Sequence, residues 1–216
     1  MKKLDNYINE KLNISTKYTC KPKDKKELKD IIKKRLKKDK NADLNDIDVS
    51  GIKDMSWLFQ GLNPYNIDIS EWDVSNVEDM NSMFDECHHF NCDLSEWDVS
   101  NVKDMGYMFF NAYSFNQLIG GWDVSRVTNM QSMFYRAESF NQPIGNWDVS
   151  CVTNMNNMFC YAFEFNQPIG DWDVSNVTNM GAMFDKAKTF NQPIGDWDVS
   201  NVTNMGNMFY GASKFN

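Results

Sequence analysis

The chain has 216 residues, of which 42% are apolar and 14% aromatic, a composition that excludes intrinsic disorder. Its net charge of −8 is unevenly placed: residues 1–40 carry 15 Lys and Arg against 6 Asp and Glu, and residues 41–216 carry 7 against 24. No apolar run approaches the roughly 18 residues that cross a bilayer, and five cysteines without a CxxC pair read as reduced thiols.

In chain order, Leu4, Tyr7, Ile8 and Leu12 follow helical spacing. The start is basic but lacks an apolar signal-peptide core, so the chain as written is expected in the cytoplasm, or at the cell surface if an export signal precedes it. Tyr18 to Pro22 reads as a short extended segment, because proline disfavours α conformation in the residue before it. A second helix is predicted from Asp24, which with Glu27 forms a capping-box pattern, and Leu28, Ile31, Ile32 and Leu36 make its apolar stripe among lysines. Basic charge permits weak phosphate binding. However, few aromatics are present for base stacking and the attached region is acidic, so nucleic acid is not the expected partner. Residues 1–40 are read as a basic helical N-terminal cap, and 41–216 as a seven-coil repeat array.

The array repeats every 25 residues, as Trp72, Trp97, Trp122, Trp147, Trp172 and Trp197 show, and thirteen of the fourteen methionines lie inside it. Met130, Met133, Phe134 and Ala137 fall on one face of a short helix that Asn129 or Thr128 would cap. Trp147-Asp148-Val149-Ser150 alternates like a half-buried strand, after a turn marked by Pro143 and Gly145. Each unit is therefore expected to hold one short strand and one short helix. Neither buries its apolar face alone, so the units should stack.

The unit Trp172-Asp173-Val174-Ser175-Asn176-Val177-Thr178-Asn179-Met180, with Met183-Phe184, Ala187 and Phe190-Asn191-Gln192, is similar to the 25-residue repeats of BspA-like leucine-rich-repeat surface proteins, found also in mycoplasmal lipoproteins. The segment from Tyr18 to Leu28 is similar to lead-ins of such arrays. The resemblance implies an α/β solenoid, a leucine-rich-repeat-like right-handed coil with one short parallel strand and one short helix per unit and an N-terminal helical cap. It further implies adhesion or protein recognition, with no family catalytic residues to carry over.

Candidate sites follow from what repeats and what does not. Asp48, Asp73, Asp98, Asp123, Asp148, Asp173 and Asp198 should point outward by strand parity, where like charges repel. An Asx-turn to the backbone offsets this most simply; calcium between coils or an acidic binding stripe are the alternatives. The asparagines from Asn66 to Asn216 read as a buried amide ladder. Asp85 to Cys92 holds both histidines and two cysteines, yet Cys87 takes the slot of buried alanines, so metal is not expected. With no nucleophile-elbow, P-loop or dinucleotide motif, no enzyme activity, cofactor or small-molecule substrate is expected. The slots that vary carry Phe110, Tyr135, Tyr161 and Tyr210, an aromatic stripe and the first candidate for a protein partner's face. The aspartates Asp73, Asp98, Asp123, Asp148, Asp173 and Asp198 are the second. The alternative for the rings is stacking between coils. Trp57, off register, is expected to pack against the cap. Because Asn216 precedes the next Ile and Trp with no polar cap, end-to-end self-association is the alternative function.

Overall fold

The structure, a computed structural model, describes residues 17–216, and the helix expected over Leu4, Tyr7, Ile8 and Leu12 lies outside them. Helix α1 (Lys25–Lys38) starts at Asp24, whose carboxylate accepts from the Glu27 N–H at 2.8 Å. Glu27 in turn accepts from the Lys23 N–H at 3.0 Å, so two donors at the helix start are satisfied reciprocally. Leu28, Ile32 and Leu36 are buried against the first unit, while Ile31 is half-buried at the edge of the stripe. The extended segment before α1 joins the array directly. Thr19 N–H donates to the Asp46 carbonyl at 2.8 Å, Asp48 N–H donates to the Cys20 carbonyl at 2.9 Å, and Cys20 pairs with Ile47 in parallel.

Among the described residues α1 is the one α-helix, and the units carry none. The segment from Met130 to Ala137 forms a succession of turns. Met130, Ser132, Phe134 and Arg136 send their N–H groups to the carbonyls of Asn154, Asn156, Met158 and Cys160 in the next unit, at 3.0, 2.8, 2.9 and 2.8 Å. The residues between close local turns: Met133 onto Met130, Tyr135 onto Ser132, Ala137 onto Phe134. Ser132 and Arg136 have φ of 53° and 52°, the left-handed region that no right-handed helix tolerates, which is why helical spacing here yields no helix. Parallel pairing runs through Asp54, Asp79, Asp104, Asn129, Asn154, Asn179 and Asn204. Asn129 is thus a rung between units and not a helix cap.

The predicted strand Trp147–Ser150 is also corrected: it is an irregular stretch between two turns, without ladder partners. Two of its N–H groups are consumed locally, Trp147 donating to the Ile144 carbonyl at 3.1 Å and Ser150 to the Asp148 carboxylate at 3.1 Å. Side-chain parity survives, with Trp147 and Val149 buried and Asp148 exposed.

Two phenylalanine ladders form the core. Phe84, Phe109, Phe134 and Phe159 stack at 5.6–5.7 Å, and Phe90, Phe115, Phe140 and Phe165 at 5.9–6.1 Å. The ladders touch within each unit, Phe134 lying 4.0 Å from Phe140. Trp147 and Trp172 stack at 6.5 Å, and each indole N–H reaches a carbonyl one unit back, Trp147 that of Ile119 at 3.1 Å, so no buried donor is orphaned on this wall. At Gly145 a Cβ would sit 2.5 Å from the Pro168 carbonyl oxygen of the next unit, so glycine sets how closely the units approach there. The asparagine ladder exists but is half-exposed: Asn141 N–H donates to the Asn116 side chain and Asn166 N–H to that of Asn141, both at 3.0 Å. It lies at the rim because the Phe beside each Asn takes the interior place.

Candidate recognition surface

Units are numbered here from their ladder methionines, unit 1 at Met55 to unit 7 at Met205. The outward aspartates come first. Asp98, Asp123, Asp148, Asp173 and Asp198 are exposed and Asp73 half-exposed. Each closes its own turn: Asp123 Oδ1 accepts from the Ser125 N–H at 3.1 Å and from the Ser125 hydroxyl at 2.6 Å. Asp148 binds Ser150, and Asp198 the Ser200 N–H, in the same way. The hydroxyl and amide of Ser125 hold the Asp123 carboxyl below the ordinary aspartate range. Its stabilisation is therefore present at neutral pH and lost as pH falls below that range. Asp123→Asn should leave the melting temperature near wild type. Asp123→Ala should lose about 0.5–1.5 kcal/mol by thermal or urea unfolding at pH 7. Equal losses in both variants would show that charge, not the turn acceptor, matters.

The varying slots fall in one arc of each unit, between the ladder methionine and the second phenylalanine (residues 131–139 in unit 4). Every aromatic residue of the array outside the Trp and Phe ladder positions lies in this arc: Trp57, Tyr107, Phe110, Tyr113, Tyr135, Tyr161, Phe163 and Tyr210. So do both histidines, and so does every cation after Arg126, namely Arg136, Lys186, Lys188 and Lys214. The structure joins them. Phe110 and Tyr135 stack at 4.6 Å, and Tyr135 meets Tyr161 at 5.8 Å. A second line passes through five consecutive units. His88 stacks on Tyr113 at 4.7 Å, Arg136 lies 5.7 Å from the Tyr113 ring and 5.5 Å from the Tyr161 ring, and Lys186 Nζ sits 4.7 Å over Tyr161. Lys186 also donates to the Tyr161 hydroxyl at 2.7 Å, which raises its pKa. Burial beside Cys160 and Tyr161 raises that of the Tyr135 phenol.

Of the four rings named from sequence, Phe110, Tyr135 and Tyr161 come together. Tyr210, 64% exposed, makes no ring contact among the described residues. Tyr161 is one residue off the Tyr135 register, whose slot in that unit holds the buried Cys160. Arg136 and Lys186 lie in varying slots, 25 residues either side of Tyr161, so the repeat places them beside that ring; Tyr113 and Phe163 are the members that spacing did not single out, and their confinement to the same arc is the signal that does. Within the arc, Asn63 Oδ1, Asp85 Oδ1, Asn111 Oδ1, Arg136 Nε and Asp185 Oδ1 are buried without a hydrogen-bond partner. Among the described residues no other buried side-chain polar atom is left so.

The remaining candidates separate. His88 and His89 turn to different rings, Tyr113 and Tyr65, and Cys87 is buried with its thiol on the Phe59 carbonyl at 3.6 Å, so the segment Asp85–Cys92 does not converge on one point. Trp57 is 46% exposed, correcting the expectation that it packs under the cap. Its backbone carbonyl, not its ring, receives Lys29 of α1. Other cations of the cap are spent on the array: Lys21 on Asp48 at 2.7 Å, Lys25 on Asp54 at 2.6 Å and Arg35 on Asp46. That pairing accounts for part of the charge asymmetry between the two regions. In unit 7 the outer positions are open, with Val199 37% and Met205 39% exposed where Val174 and Met180 are at most 1%. No helix among the described residues is long and apolar enough to cross a membrane.

No curated protein and no solved structure matches the chain. A protein family described as "Mycoplasma protein of unknown function, DUF285" matches it twice, over residues 26–147 and 118–216, from within α1 to the end of unit 7. The chain belongs to that family.

Proposed function

We propose that the chain is a non-enzymatic binding module, a leucine-rich-repeat-like solenoid that recognises a protein or other macromolecular partner through the arc of non-repeating residues. One observation carries this: the aromatics outside the framework, scattered by no rule that the framework imposes, all fall in one arc, where those of units 3 to 5 form a connected cluster that His88 and Lys186 extend to units 2 and 6. Aromatic and Arg side chains are the anchors that interfaces favour. The aspartate series serves second, since its carboxylates already close turns.

The resemblance to BspA-like arrays favours surface display and adhesion. This chain follows that family in its 25-residue framework while using turns where a helix is expected. Tyr135→Ser combined with Tyr161→Ser is the test, using immobilised protein and extract of the native host's surroundings. Partners captured by the wild type should be lost with the variant while both proteins unfold cooperatively. Capture unchanged, with only the melting temperature lowered, would mean that the rings merely brace neighbouring units.

A further inference from the structure

The arc is not uniform along the stack. Its unit 2 portion carries Asp85 and Glu86, unit 3 carries no charge, unit 4 carries Arg136 and Glu138, unit 5 carries Glu164, and unit 6 carries Asp185, Lys186 and Lys188. The charge thus runs from acidic at one end of the aromatic cluster to basic at the other, with Tyr135 and Arg136 at its midpoint. Among the described residues exposed Glu86 forms no ion pair, and the exposed Lys188 ammonium lies 4.1 Å over the Phe163 ring and pairs with no carboxylate. Glu86 and Lys186 occupy the same slot in units four apart, as do His88 and Lys188.

We propose that this arc pairs with the same arc of a second copy of the chain, the two stacks antiparallel about a two-fold axis through unit 4. The inference rests on reading the arc as a recognition surface and names its partner. A two-fold contact places residue i against j and j against i. An axis through unit 4 therefore sets each copy's acidic unit 2 against the other's basic unit 6. It also sets Tyr107, Phe110 and Tyr113 of unit 3 against Tyr161 and Phe163 of unit 5. The axis itself crosses Tyr135 and Arg136, an aromatic centre of the kind interfaces bury, where the two copies' Arg136 meet and Glu138 of the same arc supplies each with an opposite charge. A parallel pairing sets Glu86 on Glu86 and Lys188 on Lys188, and like charges facing one another across an interface are disfavoured. The charge order along the arc thus selects one orientation.

Sedimentation velocity over a concentration series tests this with the full chain. Wild type should pass from monomer to dimer. Glu86→Lys and Lys188→Glu, each alone and each at an exposed position, should weaken the dimer about tenfold or more. The two together should recover much of it, because the lysine then in unit 2 lies diagonally across from the glutamate in unit 6, two positions along, as Glu86 and Lys188 do in the wild type. A wild-type chain that stays monomeric at every concentration overturns the proposal, and so does a dimer indifferent to both single reversals. If the chain is monomeric while capture of other macromolecules still depends on Tyr135 and Tyr161, self-pairing fails and the recognition reading stands.

Discussion

Replacing Phe134 with alanine is expected to cost about 3–5 kcal/mol, enough to unfold a domain of ordinary stability or leave it barely folded. The ring is fully buried and stacks on Phe109 at 5.7 Å and Phe159 at 5.6 Å along the ladder, on Phe140 at 4.0 Å across it, and on Trp147 at 6.4 Å. Removing it opens a cavity against four aromatic walls. Their positions are fixed by the hydrogen bonds of their own units, so collapse relieves little of the loss. The same change at Phe209 removes a ring with Phe184 at 5.6 Å and Phe215 at 4.0 Å beside it, at a half-buried position. Urea unfolding should therefore show a much smaller shift for Phe209→Ala than for Phe134→Ala. Equal shifts would mean that burial along the ladder is not what holds the units together.

Gly145→Ala should rank next, at about 1–3 kcal/mol or more, although it adds a single methyl group. The added Cβ would lie 2.5 Å from the Pro168 carbonyl oxygen, and the obstacle is backbone of the neighbouring unit, which cannot rotate aside. Gly120→Ala meets the Pro143 carbonyl at 2.2 Å and should behave likewise. The array supplies its own control. Gly195 holds the same slot as Gly145 in the last repeat of the Gly-x-Trp segment, and a Cβ there meets nothing within 4 Å. Gly195→Ala should be neutral or slightly stabilising through the unfolded chain. Thermal melts of the three variants decide the matter: a loss at Gly195 as large as at Gly145 would assign the effect to local conformation rather than to contact between units.

The sequence carries burial far more clearly than hydrogen bonding. Met130, Met133, Phe134 and Ala137 are all buried, as helical spacing demands, and Trp147 and Val149 are buried, as strand alternation demands. Periodicity reports which side of the chain faces the core, and successive turns satisfy it as well as a helix or strand does. What decides between them is where each N–H goes. Here that depends on left-handed residues such as Ser132, Arg136, Ala182 and Lys186, types that do not announce that conformation. The site divides in the same way. The varying slots could be read from the repeat, and Phe110, Tyr135 and Tyr161 with them. Within the column His88, Tyr113, Arg136, Tyr161, Lys186 the repeat aligns His88 with Tyr113 and Arg136 with Tyr161 and Lys186; the step from Tyr113 to Arg136, two positions off register, is the one that spacing does not give. Trp57 misled for a simpler reason: a large apolar residue predicts burial, yet its slot holds small or polar residues in most other units, Ser82, Ser132, Asn157, Ala182 and Asn207, and the ring is left 46% exposed.

The one-way hydrogen bonding of the turn segments has an electrical consequence. The Asn129 carbonyl accepts from Met105 and the N–H of the same peptide group, on Met130, donates to Asn154. The groups joining 131 to 132, 133 to 134 and 135 to 136 are wired in the same sense. Four strings of peptide groups therefore run along the stack, their dipoles adding as they do in a helix and each bond polarising the next. The returning bonds, such as Thr153 N–H to the Thr128 carbonyl, are fewer and offset only part of it. The negative pole of this array falls at unit 1, where α1 presents Lys25 and Lys29. The basic cap thus closes the stack by charge as well as by its apolar stripe, and it suits that end alone.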